Sequence, residues 1–206
     1  MLVPQTTEPN RSILGILSQL ARLTSVQADL TKATDILKCS IFEESAFEER
    51  LTAMEQHLNT YIAKAVSTGN LDRAALMREA SCISGSIYTH LQFRDAEPAN
   101  VAMQALKDRL FYLLNNLDTD TIVPHRLDTE GPFLLWILFC GGILCMTSDE
   151  RSFFVNRIAS LMLKVGIQRW EEVDGILKGY LWTEKLCTRT CWMLWEEVRQ
   201  SVIASF

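Results

Sequence analysis

The residues of this 206-residue chain that could do chemistry are three histidines, six cysteines and four pairs of adjacent glutamates. Histidines a helical turn apart with an acid between them would build a hydrolytic metal site. His57, His90 and His125 instead lie far apart and form no H-E-x-x-H or H-x-x-E-H pattern. The cysteines at Cys39, Cys82, Cys140, Cys145, Cys187 and Cys191 contain no C-x-x-C. No zinc or disulfide framework can be read from that spacing. Cys187 and Cys191 are one helical turn apart and could hold a metal only with ligands from elsewhere, because structural zinc takes four; ordinary packing is the plainer reading. Glu43–Glu44, Glu48–Glu49, Glu171–Glu172 and Glu196–Glu197 are neighbours in sequence. On a helix such side chains diverge by about 100° and cannot jointly grip a metal or a glycosidic bond. Asp118-Thr-Asp120 falls short of the aspartate-rich motif for a magnesium diphosphate, and neither G-x-S-x-G nor G-x-x-x-x-G-K occurs. Neither a catalytic residue nor a cofactor or metal ligand is therefore assigned, and no enzymatic activity is expected.

The remaining conspicuous residues are five tryptophans, Trp136, Trp170, Trp182, Trp192 and Trp195. Of these, Trp136, Trp182 and Trp192 could line an aromatic pocket for a small-molecule effector, as apolar clefts between helices do. The alternative is a core filled by large rings. Composition narrows the partners. A formal net charge of -5 repels phosphate backbones and anionic headgroups, so no direct nucleic-acid binding by this chain and no membrane association are expected. Buried-looking thiols without a framework fit a reducing compartment, and the polar start of the chain lacks the pattern of a signal peptide.

The elements that must position these side chains read as helices throughout, with no strand-like alternation. The expectation is an all-α fold, a multi-helix bundle of about eight helices, with residues 1–11 disordered and 12–206 forming one helical domain. Ile16, Leu23, Leu30 and Leu37 recur every seven residues in the first helix, starting near Ser12 after Asn10. A short dimerising coiled coil would use that seam, but Ile13, Leu14 and Leu17 widen it toward intramolecular packing. Ser45 with Glu48 forms a capping-box pattern for a second helix that Gly69 ends. Asn70 or Asp72 starts a third, Glu97 and Pro98 a fourth that ends at the loop 118–120, and Pro132 belongs in the first turn of a fifth. That fifth helix carries an unbroken apolar run of 14 residues, 133–146. At about 1.5 Å per residue it reaches ~21 Å, short of the ~30 Å of a hydrocarbon core, so it reads as a buried central helix. Thr147 with Glu150 caps a sixth that Gly166 closes, a seventh spans 170–181, and Thr183 caps the last, 184–203.

Six short segments follow one another within 131–198: LLW at 134–136, Gly141-Gly142, an ER with the aromatic pair Phe153-Phe154, WEEV at 170–173, ILKGYLW at 176–182 and LWEEV at 194–198. In that order they resemble the C-terminal helical regulatory domain of fungal-specific transcription factors, proteins that usually carry an N-terminal zinc binuclear cluster. The signature core is Trp136, Gly141, Gly142, Phe154, Trp170, Trp182 and Trp195. Nothing here has the six closely spaced cysteines amid basic residues of the DNA-reading cluster. Arg169 replaces the small cap expected before Trp170, and Thr188 an acid. The resemblance implies a regulatory and interaction domain in the nucleus, shared in part with the cytoplasm. Its partner would be a DNA-bound regulator or a second copy of itself, and its effector a small molecule. A helical enzyme or metabolite-binding accessory protein of a secondary-metabolite pathway is the alternative.

Overall fold

The computed structural model describes residues 8–34, 41–68, 72–117, 124–186 and 189–204, with side chains described from 15 onward and, around the gaps, only at 15–29, 45–67, 72–117, 130–186 and 189–204. Within them run eight α-helices: α1 (Glu8–Thr34), α2 (Ile41–Thr68), α3 (Arg73–Phe93), α4 (Val101–Asn116), α5 (Pro124–Gly142), α6 (Ser148–Val165), α7 (Trp170–Lys178) and α8 (Arg189–Ile203). A single 3-10 turn, Glu184–Leu186, precedes α8, and no strand occurs among the described residues. The all-α expectation holds. The side chains of Leu30, Leu37, Cys39 and His125, the whole of the loop 118–120, and Gly69, Asn70, Cys187 and Thr188 lie outside the described residues.

The chain divides into two compact units, Met1–Asn70 and Leu71–Phe206. In the first, α1 packs on α2 and buries Ile16, Leu17, Leu20 and Leu23 together with Leu51, Met54 and Leu58. These positions recur at three- and four-residue intervals, the stripe by which two helices remove apolar surface from water. In the second, α5 is the hub: it touches α3, α4, α6, α7 and α8. Seven consecutive residues, Leu134 to Cys140, are each at most 1% exposed, so the helix is enclosed on every side. Each large apolar side chain buried there contributes about 1.5–3 kcal/mol of transfer free energy. No described helix is long and apolar enough to cross a membrane.

Several helix ends differ from the sequence expectation, each for an identifiable reason. α1 begins at Glu8, because Pro9 in a first helical turn loses no bond. α2 runs upstream of Ser45 to Ile41, since nothing from Ile41 to Thr68 breaks a helix, and the Ser45 and Glu48 pair falls inside it. α4 starts at Val101 rather than at Pro98: Asn100 caps it by accepting from the Ala102 N–H at 2.9 Å, and the Pro98 carbonyl accepts from Gln104 Nε2 at 2.6 Å. α5 starts at Pro124, which leaves Pro132 inside the helix and one intrahelical bond unmade. Burial of the run that follows offsets the loss. α7 stops at Lys178, and α8 begins at Arg189, because Thr183 donates to Gln92 Oε1 at 2.6 Å instead of capping a helix. Asp72 does cap α3, accepting from the Ala75 N–H at 2.7 Å, and Gly166 does close α6, at φ 79° where glycine alone is unstrained.

Candidate functional site

The candidate site is the aromatic assembly around α5. Phe133 and Trp136 lie one turn apart on α5 and stack at 5.7 Å between centroids. Tyr180, just past α7, closes the stack at 5.3 Å from Phe133 and 6.1 Å from Trp136. Trp136 is fully buried and its Nε1–H donates to the Leu181 carbonyl at 2.9 Å. A buried indole needs such a partner, and this one ties the end of α7 to α5. Burial pushes the Tyr180 phenol above its ordinary value. One turn further along, Phe139 meets Trp182 edge-on at 6.2 Å and Trp170 at 6.3 Å. Trp170 then contacts Trp192 at 5.0 Å and Trp195 at 5.6 Å, both on α8.

The glycine pair sets how closely the neighbouring helices approach. A Cβ on Gly141 would lie 2.4 Å from Phe154 Cε1, and one on Gly142 would lie 2.7 Å from Leu194 Cδ2. Gly141 thus admits Phe154 of α6, with Leu110 of α4 beside it, and Gly142 admits Leu194 of α8 against bare backbone. Side chains at these two positions would push both helices outward.

The three tryptophans expected to line an effector pocket are placed differently from one another. Trp136 is fully enclosed and hydrogen-bonded, Trp182 is 6% exposed, and Trp192 is 44% exposed on the outer side of Trp170. Trp182 Nε1 has no hydrogen-bond partner among the described residues. The remaining signature residues, Phe154, Trp170 and Trp195, belong to the assembly around α5.

Chemistry at this site is muted. Burial, with Cys191 close by, drives the Cys140 thiol far above its ordinary range, and burial chiefly lifts Cys82 and Cys145 to about 12. Such thiols are packing groups, because thiolates are the reactive and metal-binding form. Among the described residues no three His, Cys, Asp or Glu side chains come together to hold a metal ion. His57 lies on α2 and His90 on α3, where its Nδ1 is 3.1 Å from the Ser86 carbonyl.

Sequence reasoning passed over the polar ties at the edge of this core. Lys107 Nζ, only 4% exposed, meets Glu150 Oε1 at 2.5 Å and Asp108 Oδ1 at 3.1 Å. Burial alone would push the ammonium down; hydrogen bonds and charge from Glu150 and Asp108 outweigh it and raise the lysine above its ordinary value. Glu150 is thereby drawn away from the capping box expected with Thr147, whose side chain makes no cap bond. Beside it Arg151 Nε donates to both Glu197 oxygens at 2.9 and 2.8 Å, joining α6 to α8, and Arg109 pairs with the buried Glu79 at 2.7 Å. The unusual Arg169 is explained locally. Arginine carries no acceptor, so Glu172 caps α7 alone, accepting from the Gln168 and Arg169 N–H groups at 2.9 and 3.0 Å.

A hub helix touched by five others, two glycines that set the helix spacing and an assembly of buried rings together make α5 the centre of a closely packed helical core. No curated protein and no solved structure gives a significant match to the chain. Residues 10–195 match the fungal specific transcription factor domain, nearly the whole length of the chain, and the protein therefore belongs to that family.

Proposed function

We propose that this chain is the regulatory and interaction region of a fungal transcription regulator, acting in the nucleus through a DNA-bound partner. The observation that carries the reading is the family match over residues 10–195. The net charge of -5 supports action through a DNA-bound partner rather than on DNA directly. The hub arrangement supports a mechanism. Because α5 touches five other helices, a partner or metabolite that shifts any one of them changes the packing of the rest. The buried, unpartnered Trp182 Nε1–H offers a donor that an effector carrying an acceptor atom would satisfy.

The test is a reporter. The full chain is fused to a heterologous DNA-binding module and transcription from the matching promoter is measured. Output is expected to rise or fall against the module alone, while the unfused chain leaves a DNA duplex unshifted at physiological salt. An output identical to that of the module alone, or turnover of a prenyl diphosphate by the purified chain, overturns the reading.

A further inference from the structure

The first unit carries a groove that the heptad reading of α1 does not account for. Two openings along one face of the helix pair, of about 500 and 300 Å³, share Gln19 and His57 and so form one continuous cleft. Gly15 faces Lys64 at one end and Val26 faces Arg50 at the other, which makes the pair antiparallel. From Gly15 to Val26 the cleft follows α1 for about 16 Å at 1.5 Å per residue, three turns of a docked helix. Its floor is apolar: Ile16, Leu23 and Met54 are buried, and Val26 is 38% exposed at the mouth.

The walls decide the occupant. Among the described residues, the fully charged ones lining the cleft are all cations: Arg22, Arg50 and Lys64, each exposed. None of the three pairs with a carboxylate among the described residues, whereas Glu48, Glu49 and Glu55 of the same helix pair stand outside the lining. On a chain of net charge -5 this is a local reversal of sign. We infer that the cleft binds an amphipathic helix of a partner protein whose apolar face fills the floor and whose flanks are acidic. Helix-in-groove recognition needs apolar anchors at i, i+3 and i+7, which three turns supply. A second copy fits poorly, because a two-fold interface would set the arginine walls of one copy against those of the other. Nucleic acid fits poorly because the floor is apolar and the rest of the chain repels phosphate.

The inference rests on the reading that the chain works by binding a protein, and the two fail separately. Fluorescein-labelled helical peptides with leucines at i, i+3 and i+7 are titrated into the full chain by anisotropy, one flanked by glutamates and the other by lysines. The acidic peptide is expected to bind about tenfold more tightly, the sum of three surface ion pairs of ordinary strength, and to weaken as salt rises from about 50 to 200 mM. The variant R22E/R50E should remove that preference and Ala53→Trp should block both peptides, with unchanged far-UV circular dichroism; R22Q/R50Q serves if the reversal unfolds the pair. Equal affinity for the two peptides, no binding, or binding indifferent to R22E/R50E overturns the inference. So does displacement of the acidic peptide by a DNA duplex that binds more tightly, or a concentration-dependent dimer abolished by Ala53→Trp. Peptide failure with a responsive reporter discards the cleft alone; peptide binding with a silent reporter discards the regulator reading and leaves a helix-binding groove.

Discussion

Replacing Gly141 with alanine adds one methyl group and should destabilise the second unit. The added Cβ would sit 2.4 and 2.6 Å from Phe154 Cε1 and Cζ and 3.1 Å from Leu110 Cδ2. Carbon atoms in contact prefer about 3.5–4.0 Å, so the ring or the helix must move by about 1 Å. Phe154 cannot swing aside, because it is fully buried and lies 5.2 Å edge-on from Phe153 and 6.4 Å from Phe111. Overpacking of this kind costs about 1–3 kcal/mol, and an enclosed ring places it in the upper half of that range. Against it stands a helix-propensity gain of at most about 1 kcal/mol. The net expectation is a loss of about 1–2 kcal/mol, read as a lower urea midpoint at unchanged slope and a melting temperature lower by roughly 3–8 °C. Gly175→Ala is the matched control: Gly175 lies inside α7, nothing approaches its Cβ position within 4 Å, and the same methyl group should stabilise by about 0.4–1 kcal/mol. In a double-mutant cycle with Phe154→Leu, the two costs should be less than additive, because the shorter side chain vacates the space the methyl needs. A neutral or stabilising Gly141→Ala, or strict additivity with Phe154→Leu, would refute the reasoning that Gly141 exists to seat the ring.

Three further outcomes follow from the polar ties and the thiols. Lys107→Met should lower the urea midpoint by an amount equivalent to about 2–4 kcal/mol, because Glu150, at 29% side-chain exposure, loses its buried partner; Lys107→Met with Glu150→Met should recover most of that, and no recovery would count against the pairing. The Glu172 carboxyl is held below its ordinary value, first by the Gln168 N–H and then by the Arg169 N–H. A depressed folded value contributes stability above the ordinary glutamate range that fades as pH falls through the folded value. Faster hydrogen exchange at those two amides is therefore expected only at acid pH, after correction for intrinsic rates; Glu172→Gln should flatten the profile, and an unchanged profile in that variant rejects Glu172 as the cap. At pH 8 a thiol reagent should leave Cys82, Cys140 and Cys145 unmodified in the native protein and label them in urea, their pKa values being raised chiefly by burial. Rapid native labelling at any of the three would show that the packing around it opens.

Element type was legible wherever a single local cause dictates it, and boundaries were not. The apolar run 133–146 could only be a surrounded helix, and Leu134 to Cys140 are enclosed as that pattern requires. Gly166 and Asp72 ended and began helices as expected because each satisfies orphan backbone groups within its own turn. Thr147 with Glu150 carries the same kind of local signal and gave no cap, since Glu150 is claimed by Lys107, 43 residues away in sequence. Charge-assisted bonds over such separations leave no periodic trace. The candidate site divides in the same way. Phe133 and Trp136 are one turn apart on a single helix, so their stack follows from helical spacing. Tyr180 and the Leu181 carbonyl reach Trp136 only through the packing of α7 on α5, and nothing in the spacing of either segment announces it.

The physical state of these groups constrains where regulation can be exerted. In the second unit Trp136 has its hydrogen bond, Phe154 and Leu194 fill the space left by the glycines, and three thiols are silenced by burial. A side chain already satisfied in these ways has little differential energy to offer a ligand, and a ligand shifts an equilibrium only by its differential affinity for the two states. Among the described residues, groups with energy still to offer include the unpartnered Trp182 N–H inside, and Arg22, Arg50 and Lys64 along the cleft of the first unit. Substitutions around Gly141, Gly142 and Trp136 should consequently lower stability and function together. Substitutions at Arg22 and Arg50 should change partner binding at constant stability. A loss-of-function survey that returned only contacts of α5 with α6 and α8 would be measuring folding, because those contacts hold the helices in place and present nothing to a partner.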